Sequence, residues 1–224
     1  MQLLIISGSR NHEGQTARAI NAICKGFSEA GGKTECVFLP DLKLERCRQC
    51  DINGWGPCRR KLRCVIKDDF TALVKKIKTS DVIVFANPVY FGDLAESMRT
   101  FLERLRRTSF LVGAPPFMPF LPPGRKLLQP PKGIPAYPQG IPAIGLCLAG
   151  GGGGGAPSCC AILENIIQRC GFDVIDMIPM RRQNIEVKIG ILEITGKWLA
   201  TKPTSGIGVP PPIRSVKRAS EVTK

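Results

Sequence analysis

Short apolar runs alternate with longer segments of helical periodicity along most of the chain. Five runs are short enough to be buried strands, at residues 1–6, 33–39, 81–86, 141–148 and 172–180. Between and after them, apolar residues recur every three or four positions, which predicts helices at residues 17–27, 70–78, 93–107, 158–170 and 185–200. Strands that alternate with helices are typical of α/β proteins. We therefore predict a doubly wound, five-stranded parallel sheet with ligand-binding loops at the carboxyl ends of its strands.

Two proline-rich stretches depart from this alternation. Residues 113–142 contain too many prolines for a helix or an interior strand. An excursion of this length is expected to be a lid, an interface arm or a mobile segment. Residues 201–224 are proline-rich and basic, which indicates an extended tail. The predicted organisation is one domain over residues 1–200, which carries a cysteine-rich loop at 45–66, followed by this tail.

The segment after the first apolar run has the features of an anion site. Residues 7–16 lie between a predicted buried strand and a predicted helix, where free backbone N–H groups and the positive end of a helix converge. The segment lacks the Walker A and Gly-x-Gly-x-x-Gly patterns. The hydroxyls of Ser7, Ser9 and Thr16 favour a terminal phosphomonoester, so FMN fits better than NAD. The alternative is an ordinary turn capped by Gln15 and Thr16.

Four cysteines lie within eighteen residues, with the spacing C-x2-C-x7-C-x5-C. They are Cys47, Cys50, Cys58 and Cys64. The short first gap lets one turn direct two thiolates at the same point, and the turn at 54–57 can bring in the third. Soft thiolates select zinc or iron-sulfur clusters. A zinc ribbon usually has two short cysteine pairs and this segment has one, so the spacing favours a 4Fe-4S cluster over zinc. Core cysteines without a metal remain a third alternative.

Two further loops follow predicted strands. Residues 87–92 read Asn-Pro-Val-Tyr-Phe-Gly, and this amide, proline and aromatic pair suit a flat ring, although Tyr90 and Phe91 would also suit the core. The glycines at 150–155 formally contain Gly-x-Gly-x-x-Gly, a weak match. We interpret them as backbone that approaches a ligand closely, where a Cβ atom would collide.

Composition and charge limit the classes of function. No apolar run is long enough to span a membrane, and the first is too short for a signal peptide, so we expect a cytoplasmic protein with no membrane partner. In that compartment the ten cysteines indicate metal ligation and buried thiols rather than disulfides. We expect Cys159, Cys160 and Cys170 to be buried, and Cys147 to lie near the ligand crevice.

The chain has a formal charge of +14. Such a charge suits nucleic acid, anionic cofactors or an acidic protein partner. The basic residues are scattered and belong to no recognisable nucleic-acid module, so we expect no nucleic-acid partner.

Four motifs in this order resemble the NADPH-dependent FMN reductase superfamily. They are residues 7–10 with 14–16, residues 64–70, residues 87–92, and the glycine run. With four cysteines in the second crossover, the chain is most similar to the iron-sulfur flavoprotein branch of anaerobic prokaryotes. The resemblance implies a flavodoxin-like fold with FMN and a 4Fe-4S cluster as cofactors.

The resemblance also implies site residues. The first loop would hold the FMN phosphate, residues 87–92 would support the ribityl chain and isoalloxazine, and the third loop would line the polar edge of the ring. The implied FMN-binding residues are Ser7, Ser9, Arg10, Gly14, Gln15, Thr16, Asn87, Pro88, Val89, Tyr90, Phe91, Gly92, Ala149, Gly150, Gly151, Gly152 and Gly153. The implied cluster ligands are Cys47, Cys50, Cys58 and Cys64. Members of the branch usually have a shorter second gap than the seven residues found here.

The function implied is electron transfer between a carrier such as ferredoxin and an acceptor. The cofactors carry this chemistry, so no catalytic side chain is predicted. A homodimer or homotetramer is expected from the family. Two alternatives stay open: an NAD(P)H-dependent FMN or quinone reductase with a structural zinc or an empty cysteine site, and a zinc-stabilised binding module without enzyme activity.

Overall fold

A computed structural model of the chain describes residues 1–52, 56–58, 62–109 and 140–203. The proline-rich excursion, apart from its last three residues, lies outside this part of the chain, as does the tail from residue 204. The predictions made for those two segments therefore stay predictions.

Five parallel strands form one sheet with the order β2-β1-β3-β4-β5. The strands are β1 (Gln2–Ser7), β2 (Lys33–Phe38), β3 (Val82–Val89), β4 (Pro142–Ala149) and β5 (Asp173–Arg181). The helices are α1 (Gln15–Glu29), α2 (Phe70–Thr79), α3 (Glu96–Thr108), α4 (Ala156–Cys170) and α5 (Ile185–Leu199). This strand order is that of flavodoxins, so the predicted α/β fold is confirmed.

Helices cover both faces of the sheet. Residues of α1 and α5 pack in one apolar cluster, and residues of α2, α3 and α4 pack in the other. The central strands β1, β3 and β4 are therefore apolar along almost their whole length, as strands buried on both faces must be. Among the described residues, none of the helices has the length and apolar character needed to cross a bilayer.

Strand β3 extends further than its apolar run predicts. It was expected to end at Ala86, but Asn87, Pro88 and Val89 continue it and pair with the last three residues of β4. A proline lacks the N–H group that a central strand needs. The pairing of β3 with β1 has already ended at Ala86, so Pro88 is next to β4 alone. The N–H group that proline lacks is therefore not needed for hydrogen bonds to β1.

Two glycines let α1 and α5 cross closely. A Cβ atom on Gly26 would lie 1.9 Å from the carbonyl oxygen of Glu193, and one on Gly196 would lie 2.2 Å from that of Ile23. Three ion pairs flank this crossing: Arg18–Glu186, Lys25–Glu193 and Lys197–Glu29. Gly196 therefore does not interrupt the last helix but permits its packing.

We predict that Gly196→Ala lowers the free energy of unfolding by about 1–3 kcal/mol, because the methyl group must push α5 away from α1. Gly190→Ala is the matched control in the same helix, where a Cβ atom meets nothing within 4 Å. It is expected to stabilise the protein by up to about 1 kcal/mol through helix propensity. Chemical denaturation of both variants measures the difference, and equal stabilities would contradict the close crossing.

Candidate functional site

Three loops meet at the carboxyl edge of the sheet, after the neighbouring strands β1, β3 and β4. In a sheet of this order, the crevice for FMN opens at the switch point between β1 and β3. Two hydrogen bonds join the first loop to its neighbours: Gly8 N–H donates to Ala86 O at 2.8 Å, and Ser97 Oγ donates to Gly8 O at 3.0 Å. These bonds hold the predicted phosphate loop against β3 and α3, which come directly before and after the predicted ring-binding loop.

The phosphate loop ends at a helix whose N-terminus has no side-chain cap. Gly14 is the N-cap residue of α1, and no side-chain hydrogen bond caps this end of the helix. Gln15 and Thr16 are the first two helical residues and do not cap the helix, whereas the choice between an anion site and an ordinary turn stays open. The first N–H groups of α1 keep their capacity to bind an anion at the positive end of the helix.

Side chains within the phosphate loop fix its curvature. Ser9 N–H donates to Ser7 Oγ at 3.2 Å, and Asn11 N–H donates to Ser9 Oγ at 3.2 Å. Ser7 and Ser9 are buried. Arg10 extends away from the loop and lies 3.9 Å from Glu96. The hydroxyls are thus held at the crevice, whereas the contact between Arg10 and a phosphate stays a prediction.

Asn87 supports the crevice from beneath. Its side chain is fully buried, and its Oδ1 accepts the N–H of Ala95 at 3.0 Å. Its Nδ2 donates to Pro88 O at 2.8 Å and to Cys159 Sγ at 3.4 Å. The amide is therefore used to hold the start of α3 against β3, and its predicted contact with the flavin stays a prediction.

An exposed aromatic residue occupies a tight turn beside the crevice. Tyr90 and Asp93 exchange two backbone hydrogen bonds, of 3.2 and 2.9 Å, around Phe91 and Gly92. The φ angles of these two central residues are 53° and 76°, a left-handed pair that usually requires Asn or Gly. The Phe91 side chain is fully exposed and Tyr90 is largely exposed, so the alternative that they are core residues is wrong. A strained, exposed aromatic residue indicates a contact with something outside the described chain.

Glycine is required where the second and third loops touch. Gly155 has a φ angle of 81°, and a Cβ atom there would lie 2.5 Å from the Cα atom of Gly92. Gln183 Nε2 donates to Gly151 O at 2.7 Å and holds the other end of the loop. The close approach in the structure is thus between two loops. The predicted approach of residues 149–153 to a ligand stays a prediction.

The cysteine segment is pinned where it leaves and rejoins the fold. Lys43 N–H donates to Asp69 Oδ2 at 2.8 Å, and Asp69 N–H donates to Lys43 O at 3.2 Å. Glu45 N–H donates to Asp68 Oδ2 at 2.9 Å. These bonds close the segment into a loop with a fixed base.

All four predicted ligands line one pocket in this segment. The pocket is bordered by Cys47, Arg48, Cys50, Pro57, Cys58, Cys64, Val65, Ile66, Arg104, Arg107 and Thr108. Gly56 helps to close it, because a Cβ atom there would lie 2.7 Å from that of Cys50. Four soft donors around one pocket suit a metal group chemically.

The thiols do not converge on one ligating point. Within the described residues, no three His, Cys, Asp or Glu side chains are arranged to hold a single metal ion. A zinc ion needs each sulfur at about 2.3 Å from the same point. The choice between a cluster and zinc at these four thiols therefore stays a prediction.

Sequence reasoning missed a buried ion pair beneath this pocket. Arg104 is 2% exposed and pairs with Asp68 at 2.5 Å. Burial alone raises the pKa of the Asp68 carboxyl, but hydrogen bonds from Arg104 and from the N–H groups of Glu45 and Phe70 bring it below its usual value. The signal was present, because Arg104 lies three residues after Phe101 and one before Leu105, on the apolar face of α3.

The predicted buried thiols are confirmed. Cys159, Cys160 and Cys170 are buried, and burial raises the pKa of Cys170 to about 12. Cys147 is also buried, and its contacts with Cys159 and Cys160, together with burial, raise its pKa. All four residues are part of the apolar core beneath the crevice.

The sequence profile of the NADPH-dependent FMN reductase family matches residues 1–121, more than half of the chain. The chain belongs to this family. The predicted resemblance to the FMN reductase superfamily is thereby confirmed.

Curated relatives of the chain agree with the predicted branch. An iron-sulfur flavoprotein from Methanocaldococcus jannaschii is 32% identical over 106 residues, which cover 47% of this chain and 52% of the relative. The chain spans about half the length of the curated relatives it matches.

Solved structures extend the likeness over most of the fold. The NAD(P)H:quinone oxidoreductase from Methanothermobacter marburgensis superposes with a TM-score of 0.56 at 16% identity, covering 89% of this chain and 96% of the other. A flavodoxin from the domain Archaea gives a TM-score of 0.51 at 12% identity, covering 90% and 99%. At these identities the likeness shows the shared fold.

We predict that Phe91→Asn stabilises the protein by about 1 kcal/mol, because Asn tolerates the left-handed backbone and the exposed ring gives up no packing. The same variant is expected to bind FMN more weakly if the ring contacts the flavin. Phe91→Ala is the control, since it removes the ring but keeps the strain. Thermal unfolding and FMN titration measure the two effects, and unchanged FMN affinity in both variants would argue against a flavin contact.

Proposed function

We propose that this protein is an FMN- and 4Fe-4S-containing redox flavoprotein that passes electrons between a carrier protein such as ferredoxin and a two-electron acceptor. The single observation that carries the proposal is the position of α3. Ser97, in its first turn, bonds to the phosphate loop, and Arg104 borders the four-thiol pocket. The two residues are seven positions apart in the helix, or roughly 10 Å along its axis. One rigid element thus supports both predicted cofactor sites.

The residues present fit each proposed cofactor. The uncapped N-terminus of α1 and the buried hydroxyls of Ser7 and Ser9 suit a phosphate, and the four thiols suit a cluster. When bound, FMN would supply two-electron chemistry and the cluster one-electron steps. Two molecules of reduced carrier would give one electron each, and an acceptor such as a quinone would take both with two solvent protons. The chain would bind and orient the cofactors.

An acidic electron carrier suits the surface around the cysteine pocket. Ile52 and Val65 are exposed apolar residues beside it in sequence, and Arg63 and Lys67 are exposed basic ones. The formal charge of +14 would attract an acidic partner and raise the rate of encounter. A carrier docked on this surface would lie close to the cluster.

A second candidate is an NAD(P)H-dependent reductase of free flavin or quinone. The family to which the chain belongs is described as NADPH-dependent, which favours a nicotinamide donor. In this reaction a hydride from NAD(P)H would reduce FMN, and a quinone would then take a hydride from the reduced flavin and one proton from solvent, which gives the quinol and oxidised FMN. Stoichiometric oxidation of NAD(P)H by purified protein without a carrier would support this candidate over the first.

An exposed apolar stripe on α5 supports the predicted homo-oligomer. Val187, Ile191, Ile194 and Trp198 are exposed at alternating spacings of four and three residues, the seam pattern of paired helices. A second copy could cover this stripe with its own. Light scattering is expected to give the mass of a dimer or tetramer for the wild type and a smaller mass for Ile194→Asp. A monomeric wild type would contradict this interface.

The decisive experiment is an anaerobic absorbance spectrum with iron, sulfide, zinc and FMN analysis of the purified protein. Flavin bands over a broad visible shoulder, with about four irons and four sulfides per chain, are expected. Flavin with about one zinc and no sulfide would overturn the cluster and favour the reductase. A colourless protein with zinc would favour the binding module.

We predict that Cys58→Ala loses most of the iron while FMN stays bound, because the two sites use different loops. Iron and flavin analysis of the same preparation measures both. Equal loss of iron and FMN would argue against separate sites.

We predict that Thr16→Ala weakens FMN binding about ten- to a hundredfold and leaves iron unchanged, because a hydroxyl bond to a charged phosphate is lost. Thr16→Ser keeps the hydroxyl and is the matched control. Fluorescence titration of the flavin measures the affinity. Full affinity in Thr16→Ala would exclude this hydroxyl from the phosphate site.

A further inference from the structure

The guanidinium of Arg104 joins three parts of the cysteine segment. Its Nη1 donates to Asp68 Oδ2 at 2.5 Å and to the carbonyl oxygen of Glu45 at 3.0 Å. Its Nη2 donates to Asp68 Oδ1 at 2.8 Å and to Cys64 Sγ at 3.4 Å. Arg104 therefore contacts the beginning of the segment, its end and the last of its four thiols.

An aromatic ring and a carboxylate hold the side chain in place. It stacks 4.3 Å above the ring of Phe70, and its fork makes a bidentate pair with the Asp68 carboxylate. Only Arg has the planar set of donors that this arrangement uses, since Lys is a single point charge.

One donor of this side chain is left over. The Nε atom of Arg104 is buried and has no hydrogen-bond partner among the described residues. Burying an unpaired donor lowers the stability of the fold, so stability alone does not explain this arrangement. Arg104 also borders the four-thiol pocket. A buried donor beside four thiols suits an anionic group held there.

We propose that Arg104 is a positioning residue for the cluster, one that orients the Cys64 sulfur and sets a fixed positive charge beside it. The inference rests on the proposed function, because it assumes a 4Fe-4S cluster at the four cysteines. Hydrogen bonds to ligand sulfurs and the net charge nearby govern cluster reduction potentials. A fixed cation stabilises the more negative, reduced form, so Arg104 raises the potential.

The test compares reduction potentials in four proteins that are first assayed for iron, sulfide and FMN. Arg104→Met removes the charge and the sulfur bond. Arg107→Met is the matched control, because it removes a positive charge from the border of the same pocket and keeps the bond from Arg104 to Cys64. Asp68→Asn removes the opposing negative charge. Redox titration followed by electron paramagnetic resonance measures the cluster directly.

We expect the potential to fall in Arg104→Met, to fall less in Arg107→Met, and to rise in Asp68→Asn. If both substitutions acted only by loosening the loop, the cluster potentials of Arg104→Met and Asp68→Asn would shift in the same direction. That result would overturn the inference. If Arg104→Met does not retain its cluster, Arg104→Lys replaces it. This variant keeps the charge but cannot reach Asp68, Glu45 and Cys64 together, so its potential is expected to lie below that of the wild type.

Failure of the inference differs from failure of the proposed function. A wild-type protein with four irons, four sulfides and a potential that Arg104→Met and Arg104→Lys leave unchanged would overturn the role of Arg104 alone. A wild-type protein without iron and sulfide would overturn both.

Discussion

The site depends on β1 pairing with β2 on one side and β3 on the other. From β1 the chain must cross in one direction to form β2 and then in the opposite direction to form β3, so the loops after β1 and β3 diverge. A crevice opens between them at the carboxyl edge. The hydrogen bonds from Gly8 to Ala86 and from Ser97 to Gly8 set its width. The pairing of β1 with β2 and β3 therefore determines where the uncapped end of α1 and the turn at Phe91 lie.

Residues near the crevice give up local stability in several ways. Phe91 has a backbone angle that suits Gly or Asn, and Arg104 buries a donor without a partner. Among the described residues, the apolar clusters on both faces of the sheet contain few residues with a left-handed backbone or a buried donor without a partner. Departures from locally optimal structure are expected where a site makes demands beyond folding. Their position therefore supports the same crevice and pocket that the loop geometry indicates.

The sequence predicted the fold because its strands are buried on both faces and appear as continuous apolar runs. It could not predict the end of β3, since Asn87 and Pro88 resemble turn residues and only the missing β1 neighbour makes a strand acceptable there. The burial of Arg104 was not predicted, because its partner Asp68 is 36 residues away in the sequence and comes near it only when the chain folds. The four cysteines were predicted from spacing alone, but the shared base that brings them to one pocket depends on long-range contacts.

That shared base separates the cysteine segment from the rest of the fold. Lys43 and Glu45 are tied to Asp69 and Asp68, so the chain between them leaves and returns at a single point. Lengthening such a closed loop costs little, about 0.6 kcal/mol for each doubling of its length. A family built on this base can insert or delete residues between its cysteines without disturbing the sheet. The number of residues between Cys50 and Cys58, seven in this chain, is therefore independent of how the sheet packs.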